Sequence, residues 1–343
     1  MNTTTNASSC TTAMNSTVYK IGVTIAYCTI TIVSLVGNSC IGMTFYRTRT
    51  LRKPINFFII NMAISDLLTP MVFVIRNVRD LYLDSWLVTG NISKTLCKVL
   101  HVLADVSLLV SVQSLVLISV DRFGAVVFPF RSPFITSKRC PLLILATWIV
   151  AFASMFPLPL ADILRPHQRE AVRCFSFWDE TVERVDWLTD YLLAVYVAFV
   201  FIPVALLIII YAIIFIKLKS RQIPGEQSTV SLEKQRAIQN AKVLKMALAI
   251  VLGFILCWLP STIDYFLRFV VRDSYACGYV MFTEISCFFL ASACAVNPCI
   301  CFTFNGNYRE GLKRLLRCCS SQVAEQAEVH WEITGCFQTG FSS

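Results

Sequence analysis

The sequence is poor in charged residues and in histidine. Only 15% of its 343 residues are Asp, Glu, Lys or Arg, whereas 56% are hydrophobic. A water-soluble domain cannot cover so much apolar surface with so few charges, because positions that face water need polar side chains. The sequence has 3 His and no HExxH, GxSxG or phosphate-binding glycine motif. These absences remove the usual signatures of zinc, serine and phosphate-loop enzymes, so we do not expect an enzyme.

Seven apolar runs explain the shortage of charge. Each is long enough to cross a hydrocarbon core about 30 Å thick, for which a helix needs roughly 20 residues. The alternating pattern of a membrane barrel is absent, and a spanning segment must satisfy its own backbone hydrogen bonds. The predicted spans are 21–46, 55–82, 95–127, 139–160, 188–217, 241–269 and 279–304. The predicted fold class is an all-α membrane protein with a seven-transmembrane helix bundle over 21–304.

The net charge of +9 is compatible with nucleic-acid binding, with a basic tail or with cytoplasmic loops. Lys and Arg concentrate in the gaps after the first, third and fifth spans and after the seventh, which favours cytoplasmic loops. We therefore expect a multi-pass plasma-membrane protein with an outside amino terminus and no nucleic-acid partner. Residues 1–20 have no apolar signal-peptide core, so the first span would act as the targeting signal. Four glycosylation sequons lie in segments predicted to be outside: Asn2, Asn6, Asn15 and Asn91.

The segment 305–319 has the pattern of a short amphipathic eighth helix. Tyr308, Leu312, Leu315 and Leu316 share one helical face, and basic residues alternate with them. Such a helix would lie at the membrane interface and contact anionic lipids. The adjacent Cys318 and Cys319 are either palmitoylated, as a second anchor, or unmodified thiols. Residues 320–343 are predicted to be a disordered cytoplasmic tail.

One acidic residue, Asp66, falls in the middle of a predicted span, where a charge is costly and indicates function. Asn38, Ser111 and Asn297 occupy the middle or inner half of other spans and could meet it inside the bundle. Carboxylate, hydroxyl and amide oxygens suit a small hard cation. A hydrated polar network without metal explains the same residues equally well.

Two further patterns indicate a bundle with more than one packing. Asp121 and Arg122 end the third span, where they could neutralise one another or Arg122 could extend toward the cytoplasm. Pro260 follows Trp258 within the sixth span, and Pro298 lies within the seventh. Proline kinks a helix, although it is also common in membrane helices generally.

Taken in order, these residues resemble the rhodopsin-like G-protein-coupled receptors over 21–319, with one signature in each span. The matching residues are Gly37 and Asn38; Asp66; Cys97, Asp121, Arg122 and Phe123; Trp148; Pro203 and Tyr211; Phe254, Cys257, Trp258 and Pro260; Asn297 and Pro298; and Tyr308 with Arg309. Any one match is weak, but the ordered set is specific. The Leu51–Phe58 segment, Trp86 and the long second outer loop resemble the neuropeptide branch.

The resemblance implies roles for the matching residues. Cys97 and Cys174 look like the disulfide from the third helix to the second outer loop. Asp66, Ser111, Asn297 and the neighbouring Asn38 look like an allosteric sodium pocket, and no other cofactor is implied. Arg122 looks like the contact for a heterotrimeric G protein, with Asp121, Tyr211, Asn297, Pro298 and Cys301 around it as the switch. Val112, Pro203, Phe254, Trp258 and Pro260 look like the activation core. Arrestin is a further candidate partner.

Departures from the family pattern alter these expectations. Cys301 stands where the family has a Tyr that bridges to Tyr211 in the active state, and Ala293 and Cys294 replace more polar residues beside the sodium pocket. Asn240 stands where some members have an acid that faces the arginine. We therefore predict a weakly held inactive state with measurable basal signalling.

The ligand class is narrowed by missing anchors. Ala291 stands where a retinal protein needs its lysine, and Ala104 stands where amine receptors have an aspartate. Asp105 is rotated about 100° from that position on the helix, so it does not substitute. The candidate ligand pocket comprises Ala104, Asp105, Trp178, Trp258 and Glu284. A peptide is the expected ligand, and its alternative is a lipid or another small non-amine ligand.

The acidic outer loops fit a cationic or amidated peptide by charge, or are simply solvated. Cys10 and Cys277 could form a second outer disulfide. A more distant alternative is an ion transporter or channel, since Asp66 and Asp105 could mark an ion path. Against that alternative, the two halves of the chain show no internal repeat.

Overall fold

The structure, a computed structural model, describes residues 16–82, 91–128, 133–157, 186–220, 231–270 and 277–317. The helices are α1 (Thr17–Arg47), α2 (Pro54–Tyr82), α3 (Asn91–Val127), α4 (Cys140–Met155), α5 (Asp186–Tyr196, Val197–Phe201 and Ile202–Ser220), α6 (Ser231–Val270), α7 (Cys277–Phe304) and α8 (306–317). A 3₁₀ turn, Arg49–Leu51, joins α1 to α2. No strand occurs in these ranges, as the predicted all-α fold class requires.

The described helices match the predicted membrane spans with one shortfall. Six of them are long and apolar enough to cross a bilayer. The exception is α4, which has 16 residues, whereas the sequence predicts a longer span over 139–160. The described range stops at residue 157, so the last predicted residues of that span, 158–160, lie outside it.

Two helices differ from their predicted form. α5 contains a π-helical turn, in which the N–H of Ile202 bonds the Val197 carbonyl five residues earlier. Pro203 follows directly and has no N–H to donate, which favours a shifted hydrogen-bond ladder at this point. α6 begins ten residues before the predicted span, at Ser231. Hydropathy detects only the apolar part, whereas the Glu, Lys, Gln and Arg residues that precede it are good helix formers.

The helices enclose one large core with α3 near its centre. α3 contacts α2, α4, α5 and α6, and α7 contacts α1, α2 and α6. Leu115 and Ile118 of α3 are fully buried, as are Phe58 of α2 and Ile250 of α6. Large apolar side chains elsewhere point outward, for example Leu256, which is 65% exposed. An apolar outer surface of this kind suits a lipid environment.

α8 is more closely attached to the bundle than its sequence predicts. Tyr308 and Leu315 are buried, whereas Leu316, predicted to share their face, is 61% exposed. A side chain at Gly311 would overlap the methyl group of Thr44 in α1, so the two helices touch here. Burial raises the pKa of the Tyr308 hydroxyl well above its usual value. Tyr308 therefore anchors α8 to the protein rather than to lipid.

Candidate functional site

The polar residues predicted to meet in the bundle do so around Asp66 of α2. Ser111 of α3 donates to Asp66 Oδ1 at 2.8 Å, and Asn297 Nδ2 of α7 donates to Asp66 Oδ2 at 2.7 Å. Ser65 lies 2.7 Å from the same Ser111 hydroxyl. Asp66 is only 3% exposed. A buried carboxylate is costly unless it is hydrogen-bonded, and both of its oxygens have donors here.

Two prolines free main-chain carbonyls beside this carboxylate. Because proline has no N–H, Pro70 in α2 cannot bond the Asp66 carbonyl four residues earlier. For the same reason Pro298 in α7 cannot bond the Cys294 carbonyl. The hydroxyl of Ser34 in α1 lies 3.0 Å from the Asp66 carbonyl oxygen and 3.4 Å from that of Cys294. One serine therefore links the two proline-bent helices to α1.

Asn38 of α1 completes this contact. Its Nδ2 donates to the Cys294 carbonyl at 3.0 Å and to the Ser34 carbonyl at 2.9 Å. Close approach depends on Gly37, where a Cβ would lie 2.7 Å from the ring of Pro298. The sequence places Asn38 among the polar-core residues, but Ser34 was not singled out. The sequence feature that could have identified Ser34 is the pair of prolines, because each carbonyl that a proline leaves unbonded in an apolar bundle needs another donor.

A second polar cluster fastens α2, α3 and α4 together. Asn61 Nδ2 donates to Ser114 Oγ at 2.9 Å and to Thr147 Oγ1 at 3.1 Å. The indole Nε1 of Trp148 donates to Asn61 Oδ1 at 2.9 Å. Asn61 thus uses both ends of its amide in a buried position. Trp148 matches the family signature, whereas no sequence pattern singles out Asn61.

Part of the predicted activation core is a buried apolar cluster. Phe254 and Trp258 of α6 stack with their ring centroids 4.9 Å apart. Val112 of α3 is buried in the same cluster. Pro203 and Pro260 lie within α5 and α6, where each interrupts the backbone hydrogen bonding. The indole N–H of Trp258 is buried without a hydrogen-bond partner among the described residues, so no hydrogen bond fixes its ring there.

At the inner end of α3, Arg122 pairs with its neighbour in the chain. Its Nε donates to Asp121 Oδ2 at 3.1 Å, and its Nη2 contacts the same oxygen. Tyr211 of α5 lies near Ser119 and Arg122, but its buried hydroxyl has no hydrogen-bond partner within the described ranges. Cys301 is fully buried. Its short thiol stands where a tyrosine hydroxyl would reach further.

The outer half of α6 is tied to α5 and α7. Tyr196 and Tyr265 stack with centroids 4.4 Å apart, and the Tyr196 hydroxyl lies 2.8 Å from Thr262 Oγ1. Thr283 of α7 donates to Asp264 Oδ1 at 2.7 Å. Hydroxyl and carboxylate groups in this part of the bundle can recognise a polar ligand. None of these five residues was in the predicted pocket.

The predicted pocket residues are only partly assembled. Ala104 is buried in α3, while Asp105 beside it and Glu284 of α7 are half-buried. Glu284 lies close enough to Tyr19 of α1 to interact with it electrostatically. Trp258 forms the deeper aromatic layer described above. Trp178 lies outside the described residues.

Several other predicted residues also lie outside the described part of the chain. Cys174, Cys318, Cys319, Cys10, Asn2, Asn6, Asn15 and Trp86 are beyond it, as are the side chains of Cys97, Asn91, Asn240 and Cys277. The disulfides, the glycosylation sites and the palmitoylation sites therefore remain predictions. Among the residues that are described, no group of three or more His, Cys, Asp or Glu could hold a metal ion.

Comparison with known proteins decides what this bundle is. The family model described as "7 transmembrane receptor (rhodopsin family)" matches residues 37–300. The chain belongs to this family. It is 28% identical to the RYamide receptor of Drosophila melanogaster over 91% of this chain and 68% of that receptor. It is also 27% identical to the human Substance-K receptor, over 86% of this chain and 72% of the relative.

Membership confirms the main sequence predictions. The protein is a G-protein-coupled receptor with a seven-transmembrane fold, and it is not an enzyme. The resemblance to the neuropeptide branch is confirmed by relatives that include a Substance-P receptor of Mus musculus, 25% identical over 86% of this chain and 70% of that receptor. The transporter and channel alternatives find no support in these relatives.

Proposed function

We propose that this receptor binds an extracellular peptide at the plasma membrane and activates a heterotrimeric G protein inside the cell. The observation that supports a peptide as the ligand is the set of relatives, which are receptors named for RYamide, substance K and substance P. The positive loops support an outside amino terminus and an inside carboxyl terminus.

The outer half of the bundle favours a peptide with a cationic or amidated group. Asp105, Asp264 and Glu284 place carboxylates on α3, α6 and α7, all in the outer part of the helices. Lys20 of α1 is a cation at the same end. A carboxylate in a partly buried site attracts a basic group more strongly than one in water. Charge complementarity of this kind sets specificity and association rate.

The inner half supports coupling to a G protein. Asn240 stands at the position of α6 where some members of the family have an acid that faces this arginine, and Arg122 bonds Asp121 instead. Outward movement of α6 would then leave the Asp121–Arg122 pair intact. This arrangement supports basal signalling, since Arg122 has no ion pair to a described side chain of α6 that would have to break.

The test is a peptide-library screen in cells that carry a promiscuous G-protein reporter. Each sequence is supplied as the carboxyl-terminal amide and as the free acid, and basic residues are replaced by neutral ones. Wild type is compared with Arg122→Ala and with Arg139→Ala, an exposed cation at the start of α4. Surface expression is measured for all three. Arg139→Ala controls for the loss of a cytoplasmic positive charge.

We expect an amidated or basic peptide to activate wild type and Arg139→Ala, and Arg122→Ala to lose most of the response at equal surface expression. Activation that survives Arg122→Ala would overturn Arg122 as the coupling residue. A response to lipids or small non-amine molecules, with none to any peptide, would overturn the ligand class.

A further inference from the structure

We infer that the polar core around Asp66 is closed by the receptor's own side chains and does not take up a sodium ion, so that the receptor is insensitive to sodium. The family resemblance implies an ion at this place. The donor set present in this chain does not fit one, for three separate reasons.

First, the carboxylate oxygens of Asp66 are already engaged. Asn297 turns its amide N–H₂ toward Asp66 Oδ2, so the positive end of the amide occupies a place where a cation would need an oxygen. Ser111 directs its hydroxyl proton at Oδ1 and also contacts Ser65. Ser65 has one proton, which it can give to the Ser111 hydroxyl or to the Met62 carbonyl 2.8 Å away. An ion would have to reorganise this whole chain of hydrogen bonds.

Second, α7 offers the wrong chemistry at two positions one helical turn before Asn297. Cys294 places its thiol beside Asp66 and Thr69, and Ala293 has only a methyl group. Small hard cations are held by roughly six oxygen ligands, whereas sulfur suits softer metals. The thiol can donate a weak hydrogen bond to Asp66, but it adds no oxygen. Ala293 and Cys294 are both buried, so they occupy space without contributing a ligand.

Third, the main-chain carbonyls freed by the two prolines are not available as ligands. The Cys294 carbonyl accepts from Asn38 Nδ2 at 3.0 Å, and Ser34 shares its proton between this carbonyl and that of Asp66. These oxygens would otherwise be natural cation ligands next to a carboxylate. Polar side chains of α1, and not an ion, are therefore the partners of these carbonyl oxygens. The core therefore holds together through helix-to-helix hydrogen bonds instead of a shared ion.

Sodium dependence can be measured on the purified full-length receptor without knowing its ligand. Thermal unfolding is followed by intrinsic tryptophan fluorescence in 150 mM NaCl and in 150 mM N-methylglucamine chloride. Thiol-reactive dyes are avoided, because one variant removes a cysteine. The variants are Asp66→Asn, which removes the anionic ligand, and the double variant Ala293→Ser with Cys294→Ser, which supplies two hydroxyl oxygens. Basal nucleotide exchange on a G protein gives a second readout in the same two salts.

We expect the wild-type midpoint to agree in the two salts within about 1 °C, and basal exchange to agree too. We expect the double-serine variant to become sodium-sensitive, with a midpoint about 2 °C higher in NaCl, the rise for an ion present at about ten times its Kd. A wild-type midpoint raised by that amount in NaCl, and no longer raised in Asp66→Asn, would overturn the inference. A double-serine variant that stays insensitive would show that residues 293 and 294 are not the cause. Both outcomes are measured as unfolding midpoints, so neither depends on which ligand or G protein the receptor uses.

Discussion

Ser34→Ala is expected to destabilise the receptor through a main-chain carbonyl rather than through a side chain. The Ser34 hydroxyl donates to the Asp66 carbonyl at 3.0 Å, and Pro70 prevents any helical N–H from taking over that bond. The Cys294 carbonyl keeps Asn38 as a donor at 3.0 Å. The substitution therefore leaves one buried carbonyl without a partner.

The expected cost follows from this count. An interhelical hydrogen bond in a membrane protein contributes on average about 0.6 kcal/mol, because the unfolded chain in lipid also finds partners. A buried acceptor left unsatisfied costs more, about 1–3 kcal/mol. Ser34 is fully buried, so water does not reach the orphaned oxygen easily. We expect a loss of about 1–2 kcal/mol, which lowers the unfolding midpoint by roughly 1–3 °C.

The assay is a double-mutant cycle with Pro70→Ala, measured by thermal unfolding in detergent. Alanine at position 70 restores the N–H that can bond the Asp66 carbonyl, so Ser34→Ala should then lose most of its effect. Thr29→Val is the matched control, because Thr29 is an exposed residue of α1 whose hydroxyl bonds only its own helix. An equal effect of Ser34→Ala with proline and with alanine at position 70 would refute the reasoning.

Three other changes test separate parts of the bundle by thermal unfolding or by signalling. Trp148→Phe removes the donor to Asn61 Oδ1 and should cost about 1 kcal/mol; an unchanged unfolding midpoint would contradict the bond. Gly311→Leu places a side chain against Thr44 and should lower the midpoint by several degrees, roughly 1–3 kcal/mol, whereas no change would mean that α8 does not touch α1. Cys301→Tyr supplies the missing aromatic hydroxyl and should increase agonist-driven signalling in a nucleotide-exchange assay; signalling identical to wild type would remove one support for the weakly held inactive state.

The sequence predicted the seven spans and the meeting of Asp66, Ser111 and Asn297, for different reasons. Spans are visible because lipid demands about 20 consecutive apolar residues, and nothing else in the chain produces such runs. A charged or amide side chain within a span has nowhere to go except the bundle interior. Position along the span then decided which of these residues could meet. Asp66, Ser111 and Asn297 each lie in an apolar span, have a polar side chain and occupy a similar depth along the span.

Most of the features that were missed depend on contacts between helices, and the π-helical turn is the exception. The π-helical turn before Pro203 changes no residue pattern, because apolar residues continue through it. Ser34 looks like any small residue in an apolar run until the prolines of α2 and α7 are placed beside it. The residues on the apolar face of α8 differ in burial because Tyr308 packs against Phe302 of α7. Hydrophobic periodicity alone cannot distinguish such a contact with the bundle from a contact with lipid.

The burial of Tyr308 has a practical consequence for handling this protein. A receptor is often shortened or fused at its carboxyl end, and the amphipathic pattern alone suggests that everything after residue 304 is dispensable. Because Tyr308 belongs to the same core as the inner ends of the helices and Leu315 is buried as well, a cut before them would open that core to water. The first boundary that keeps the described body whole lies after residue 317, the last described residue of α8. We expect a receptor with a reporter or affinity tag placed beyond that boundary to keep this core intact.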